Sequence, residues 1–215
     1  MSALIVIAKA PAPGRAKTRL TPPCTPAEAT SLAHAALADT LAAVRRTPVR
    51  RRVVALDGPP GAWLGGGFEV VAQRGESFGA RLAAAFEDVG GPALLIAMDT
   101  PQVTPALLSR ALAALERDDA VLGPTPDGGY WAIGLRTATP GAFDGVPMST
   151  ADTRTAQERR LREIGLRARR LPELTDVDDI ASARAVAAVA PKTRFAAVLR
   201  RLAVTTGSTS TLGEG

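Results

Sequence analysis

The chain reads as a single α/β domain built on a mostly parallel sheet, and three observations predict it. Unbroken apolar runs of strand length recur along it, as strands buried on both faces require. Ala/Leu-rich helical periodicities lie between the later runs, and strands alternating with helices mean βαβ units with right-handed crossovers. The 215 residues, 46% hydrophobic and 22% charged, suffice for one ordinary core and carry no bias toward disorder or a disulfide scaffold.

Ala3 to Ala8 is apolar and β-rich and ends at a Pro/Gly loop, which predicts a first, fully buried strand. Thr25-Pro26-Ala27-Glu28 combines an N-cap, a proline at the first helical position and a capping-box Glu, and helical periodicity continues to about Arg46. Strands are expected at 52–56, 68–72, 93–98 and 120–122, with helices near 77–89 and 105–117, the second opened by Thr104-Pro105. Tyr130 to Leu135 predicts a further strand. A loop, a basic amphipathic helix from about Ala151 to Ile164, a short strand near Leu166 to Leu171 and two Ala-rich helices near 179–189 and 192–203 follow. The domain is expected to span 1–204, with the Gly/Ser/Thr-rich stretch 205–215 a flexible tail.

Composition excludes several classes. The longest apolar run is too short for a membrane span and lacks a signal-peptide cleavage pattern, so a soluble cytoplasmic protein is expected. A lone Cys24 offers neither a disulfide nor a zinc site. His34, the one histidine, sits among Ala and Leu in the long helix and is expected to pack or cap, which leaves a Ser-His-Asp or Cys-His mechanism without support. Net charge is +5, with runs at Arg45–Arg52 and Arg159–Arg170, but aromatics make up 4% of the chain, so solvated helix ends are favoured over a nucleic-acid face. Nothing specifies an oligomeric state.

Four segments carry chemistry. Lys9-Ala-Pro-Ala-Pro13-Gly14-Arg15-Ala-Lys17-Thr-Arg19-Leu follows the first strand. Four cations and a glycine at the carboxyl end of a parallel strand suit a polyphosphate, though the spacing is neither a P-loop nor a GxGxxG fingerprint. Lys9 and Lys17 are two of three lysines among 26 basic residues, consistent with positions that want a compact point charge. Asp99 ends a buried strand in Ile96-Ala-Met-Asp99-Thr-Pro101, where a carboxylate typically holds a hard cation, Mg²⁺ or Mn²⁺. Ligands bind open α/β sheets where strand order reverses, so if the first strand and the strand ending at Met98 are neighbours there, metal and phosphate share a crevice. In Gly123-Pro-Thr-Pro-Asp127-Gly128-Gly129-Tyr130-Trp131, the paired glycines either admit a ligand to the backbone or make a hairpin turn. Asp176-Val-Asp178-Asp179 offers carboxylates that either complete a metal shell or cap the next helix. A weaker candidate for the base or phosphate is Gln73-Arg-Gly-Glu-Ser-Phe-Gly79-Ala-Arg81.

These segments, in this order, resemble the DUF2064 family, the selenodomain-associated transferases of the nucleotide-diphospho-sugar transferase (GT-A) superfamily. The resemblance spans roughly residues 3 to 190 and departs at Ala97-Met98 and over 178–183. It implies a GT-A Rossmann-like three-layer sandwich and a nucleotide-bound donor. Lys9, Pro13, Gly14, Arg15, Lys17 and Arg19 then resemble the phosphate loop, joined by Gln73, Gly79 and Arg81. Asp99 resembles the metal-binding carboxylate and Asp178 a second ligand, while Asp127, Gly128, Gly129 and Tyr130 lie where the transferred group and acceptor would meet. Lys17, Asp99 and Asp127 are the implied catalytic residues. Two reactions fit: glycosyl transfer from a nucleotide-sugar, which leads, and guanylyltransferase-like nucleotidyl transfer from an NTP to a small phosphorylated acceptor. The basic surface suits an anionic acceptor. A silent nucleotide-sensing or RNA-binding protein would instead need the Arg-rich runs to form one continuous face.

Overall fold

The computed structural model describes residues 2–12 and 17–208, and for 203–208 the backbone course alone. Pro13, Gly14 and Arg15 therefore lie outside the described residues, as does 209–215 of the expected tail. Seven strands, β1 (Ala3–Lys9), β2 (Arg51–Asp57), β3 (Glu69–Ala72), β4 (Ala93–Ala97), β5 (Ala120–Pro124), β6 (Tyr130–Leu135) and β7 (Ala168–Arg170), form one sheet in the order 3-2-1-4-6-5-7. Every pairing is parallel except those of β6, which runs antiparallel to both β4 and β5. Among the described residues six α-helices accompany it: α1 (Pro26–Arg46), α2 (Phe78–Val89), α3 (Pro105–Leu115), α4 (Thr153–Glu163), α5 (Ile180–Val189) and α6 (Arg194–Ser208). The last runs four residues past the expected domain end at 204.

The period-2 alternation of strand side chains builds two cores. On one face Leu4, Val6 and Ala8 pack with Val54, Leu94 and Ile96 beneath α1 and α3. On the other, Ile5, Ile7, Val53 and Leu95 pack beneath α2 and α4, through Leu82, Phe86 and Leu161. Each Val, Leu, Ile or Phe side chain so removed from water contributes about 1.5–3 kcal/mol before conformational entropy is counted. A third cluster lies outside α1, where Leu32 and Ala36 meet Val177, Val186 and Phe195 and so dock α5 and α6. The layering is thus helix, sheet, helix, with an extra helical pair on one side.

Local signals place the ends of the elements. Thr25 accepts from the Glu28 backbone N–H, and the Glu28 carboxylate accepts from the Thr25 N–H, so the expected capping box closes. Thr104 and Ser77 cap α3 and α2 in the same way, each accepting from the backbone three residues on. No helix among the described residues is long and apolar enough to cross a membrane. His34 is exposed on α1 rather than packed in it, while Cys24 is a buried, free thiol.

Candidate active site

The strand order reverses between β1 and β4, which lie side by side and parallel with Ile7 opposite Ala97. The chain leaves both strands at the same edge, so Lys9 and Asp99 emerge together at the switch point, where open α/β sheets bind ligands. A single 3₁₀ turn, Thr18–Leu20, follows the loop and buries Leu20 against α1. Lys17 heads that turn in the left-handed region, φ 55° and ψ 42°, a conformation costly for a residue with a Cβ. Its ammonium donates to Asp99 Oδ2 at 2.6 Å, with the two side chains 12% and 21% exposed. Lys17 and Asp99, 82 residues apart, therefore meet in one cleft of about 520 Å³, which Lys9, Arg19, Gln73 and Arg81 also line.

Asp99 has capacity to spare. Its Oδ1 is buried and has no hydrogen-bond partner among the described residues. A half-satisfied buried carboxylate is costly, so this oxygen is open to a cation or a donor that enters the cleft.

A strap running from 171 to 178 crosses the ends of β5 and β4. The Leu171, Leu174 and Val177 N–H groups donate to the carbonyls of Leu122, Pro124 and Asp99. Trp131 Nε1 donates to the Pro172 carbonyl at 3.0 Å. The lacing brings Asp176 within the field of Asp99 and Asp127. Burial first, and then those two negative charges, push its carboxyl up to about 6, against the pull of Lys17. Asp178 lines the same cleft and pairs with Arg19 at 2.5 Å, with both groups substantially exposed, so that pair stabilises little. Asp179 caps α5 in a reciprocal box with Ser182, whose hydrogen bonds hold its carboxyl below the usual range.

This donor set fits a hard divalent cation. It is all oxygen: the orphaned Asp99 Oδ1, Asp178 on the cleft wall, and the half-buried Asp176 close by, whose carboxyl is pushed up by burial and by the negative charge already present. Among the described residues no three His, Cys, Asp or Glu side chains cluster tightly enough to cage an ion. The expected second ligand, Asp178, lines the same cleft beside Arg19.

The Asp127 turn closes the β5–β6 hairpin at the same edge. Asp127 Oδ1 accepts from Thr125 Oγ1 at 2.5 Å and from the Gly129 N–H at 2.9 Å, which holds the turn. Gly128 sits at φ 89°, and a Cβ there would overlap the carbonyl of Ala151. The close approach that requires this glycine is the chain's own α4 entry, sealed by the Arg154 N–H donating to the Gly128 carbonyl. Gly129 completes the turn beside Asp127 and Thr125. Tyr130 points into the protein, its hydroxyl 3.3 Å from Gln157 Oε1, and burial raises its pKa. Asp127 itself is exposed at the edge.

Gln73, Gly79 and Arg81 separate in a similar manner. Gln73 Nε2 donates to the carbonyls of Ala8 and Ala55 at 2.8 and 3.0 Å, tying β1 to β2 at the cleft. Both amide protons are then engaged, and Oε1 is the atom left to meet a ligand. Arg81 reaches Asp57 and the Gly75 carbonyl and lines the cleft. Gly79 packs instead against the Phe143 carbonyl, on the buried side of α2. Two cleft residues were not singled out from the sequence. Phe78, 44% exposed at the start of α2, presents an aromatic face, and Ser149 holds φ 62° at the rim. An exposed Phe at a helix start is a readable signal; a strained Ser is not.

Comparison with known structures places this architecture. The chain superimposes on a candidate nucleotide-diphospho-sugar transferase from Desulfovibrio desulfuricans G20 with a TM-score of 0.85 at 28% identity, covering 93% of this chain and 94% of that one. The 2-C-methyl-D-erythritol 4-phosphate cytidylyltransferase of Thermus thermophilus gives 0.58 at 19% identity, over 89% and 100% of the two chains. Rv0371c from Mycobacterium tuberculosis H37Rv gives 0.57 at 20%, over 86% and 96%. At the lower identities the likeness is one of fold. Among curated proteins, none matches the chain. Residues 34–150 match the family model described as "Uncharacterized protein conserved in bacteria (DUF2064)", more than half of the sequence, and the chain belongs to the DUF2064 family.

Proposed function

We propose that this chain is a divalent-metal-dependent transferase acting on a nucleotide-activated donor, and that the donor is an NDP-sugar. The observation that carries the reading is the Lys17–Asp99 contact at the β1/β4 switch point, beside an unpartnered Asp99 oxygen. The DUF2064 membership and the likeness to a candidate nucleotide-diphospho-sugar transferase support the choice of donor.

The chain's own groups divide the work. Lys9, Lys17 and Arg19 line the cleft and offset phosphate charge, with Lys17 free to move from Asp99 to a diphosphate oxygen. Asp99 and Asp178, with Asp176 close by, would hold the cation, which when bound would offset negative charge on the departing diphosphate. Gln73 Oε1, an acceptor with its amide fixed by two carbonyls, selects a ligand group that donates, and Phe78 offers a stacking face to a base. Asp127 stands beside this edge as the residue nearest the transferred group, and the basic surroundings favour an anionic acceptor.

Nucleotidyl transfer is the second reading, favoured by the cation density of the 9–19 segment, which suits a triphosphate. A thermal-shift screen in Mg²⁺ against NTPs and NDP-sugars separates the two, because a ligand that binds the folded state raises its apparent stability. Stabilisation by an NDP-sugar is expected. Stabilisation by NTPs without any NDP-sugar response would shift the assignment to nucleotidyl transfer. Asp99→Asn should abolish metal-dependent turnover in a folded protein, and unchanged turnover would remove the metal role.

A further inference from the structure

A second and larger cavity, about 1280 Å³, opens between α1, the turn at 63–65 and α6. Among the described residues it shares none with the cleft at Asp99, so its ligand does not depend on the donor assignment. One wall is apolar: Leu41 and Ala38 of α1, Trp63, and Val198 of α6. The rest of the lining is polar, with Arg45, Arg194 and Arg200 joined by Arg201, His34, Thr30 and Ser31, and no Asp or Glu among the described lining residues.

The hydrogen bonding of these arginines is informative. Arg45 donates to the carbonyls of Gly66 and Leu64 and lies over the Phe68 ring at 5.1 Å. Arg194 donates to the Ala38 carbonyl and Arg200 to that of Pro191. These neutral partners aim the guanidinium groups without cancelling their charge. Several arginines elsewhere are ion-paired instead: Arg51 with Glu69, Arg74 with Asp88, Arg136 with Asp119 and Arg169 with Asp118. Converging like charges beside a low-dielectric wall raise the local potential for anions, and the planar guanidinium fork matches phosphate and carboxylate oxygens.

We infer that this groove is a second ligand site, selective for an amphiphilic anion whose apolar body lies along Trp63, Leu41 and Val198 and whose phosphate or carboxylate end meets Arg194 and Arg200. Trp63 reports on it directly, since the other tryptophan, Trp131, is 1% exposed. The test titrates the full chain with octyl phosphate, below its micelle concentration, and follows tryptophan emission. A saturable change is expected, absent with octyltrimethylammonium. Inorganic phosphate should bind about tenfold more weakly, lacking the apolar contact. Arg194→Gln combined with Arg200→Gln should weaken octyl phosphate about tenfold, and rising salt should weaken it further.

Ala197→Glu places a carboxylate in the groove without removing any charged tie, and should abolish binding while the far-UV spectrum is retained. Asp99→Asn should leave binding unchanged, which separates this site from the donor cleft. An equal response to the cationic amphiphile, an unaltered affinity in Ala197→Glu, or no saturable response to octyl phosphate would overturn the assignment.

Discussion

If Lys17 occupies a position that a cation would otherwise claim, then removing it should tighten metal binding while weakening nucleotide binding. The substitution is Lys17→Met, which keeps the length and apolar stem and deletes the charge. The ammonium lies 2.6 Å from Asp99 Oδ2, with both groups mostly buried. Gross attraction at an effective dielectric near 20 is about 6 kcal/mol, but a charge-assisted hydrogen bond nets about 1.5–3 kcal/mol once desolvation is counted. At 1.4 kcal/mol per factor of ten, the nucleotide-free variant should bind Mn²⁺ about 10- to 100-fold more tightly. Calorimetric titration measures this directly.

The same change leaves Asp99 without its ammonium partner, so the metal-free variant should lose about 1–3 kcal/mol of stability, recovered on adding Mg²⁺. A variant that binds Mn²⁺ no better than the parent would refute the idea that Lys17 and metal compete for Asp99.

Three further outcomes are expected. Gly128→Ala must fit a Cβ against the Ala151 carbonyl at a φ of 89°, and should cost about 2–4 kcal/mol in denaturant unfolding; a negligible loss would show that the α4 entry shifts freely. Asp176 has its carboxyl raised from 3.8 to about 6, so the folded protein binds more protons than the unfolded chain between those values, and stability falls as pH rises through that window. In EDTA, Asp176→Asn should therefore gain on the order of 1 kcal/mol after solvent screening above about pH 6, with no gain below about pH 4; a gain that persists at low pH would point to packing instead. Thr25→Ala opens the capping box on α1 and should cost about 1 kcal/mol in Tm-derived stability, and an unchanged Tm would mean that tertiary packing alone sets that helix start.

Local chemistry made the elements legible. A six-residue apolar run, a Thr-Pro-x-Glu box and a Thr-Pro pair fixed β1, α1 and the start of α3 within a residue or two, because their causes lie within a few residues of one another. The meeting of the 9–19 segment with Asp99 was also readable, since topology alone sends both chain exits to one edge. What stayed hidden depends on distant partners. The glycine pair at 128–129 left ligand approach and hairpin turn open, and the deciding group, Ala151, comes more than twenty residues later. Asp176 and Asp178 are indistinguishable by spacing; the strap hydrogen bond from Val177 to Asp99 sets their surroundings, one in the field of Asp99 and Asp127 and the other paired with Arg19 at the cleft wall. The Arg45–Arg52 run is no uniform solvated face either. Arg45 ties down the 64–66 turn, Arg51 holds Glu69, and Arg52 reaches the carbonyls of Val44 and Thr47.

The reversed direction of β6 carries one more consequence. Because it runs against both neighbours, the bend between β5 and β6 falls on the ligand-facing rim rather than the opposite one, and the start of α4 is bolted to it through Gly128, Ala151 and Arg154. Most surface bends accept added residues at little thermodynamic expense. This one is clamped from the side, so lengthening 125–129 by even one residue would drag α4 and displace Asp127 with it. Diversity in what the rim recognises is therefore more readily gained at Phe78, Ser149 and the 9–19 segment than at the hairpin.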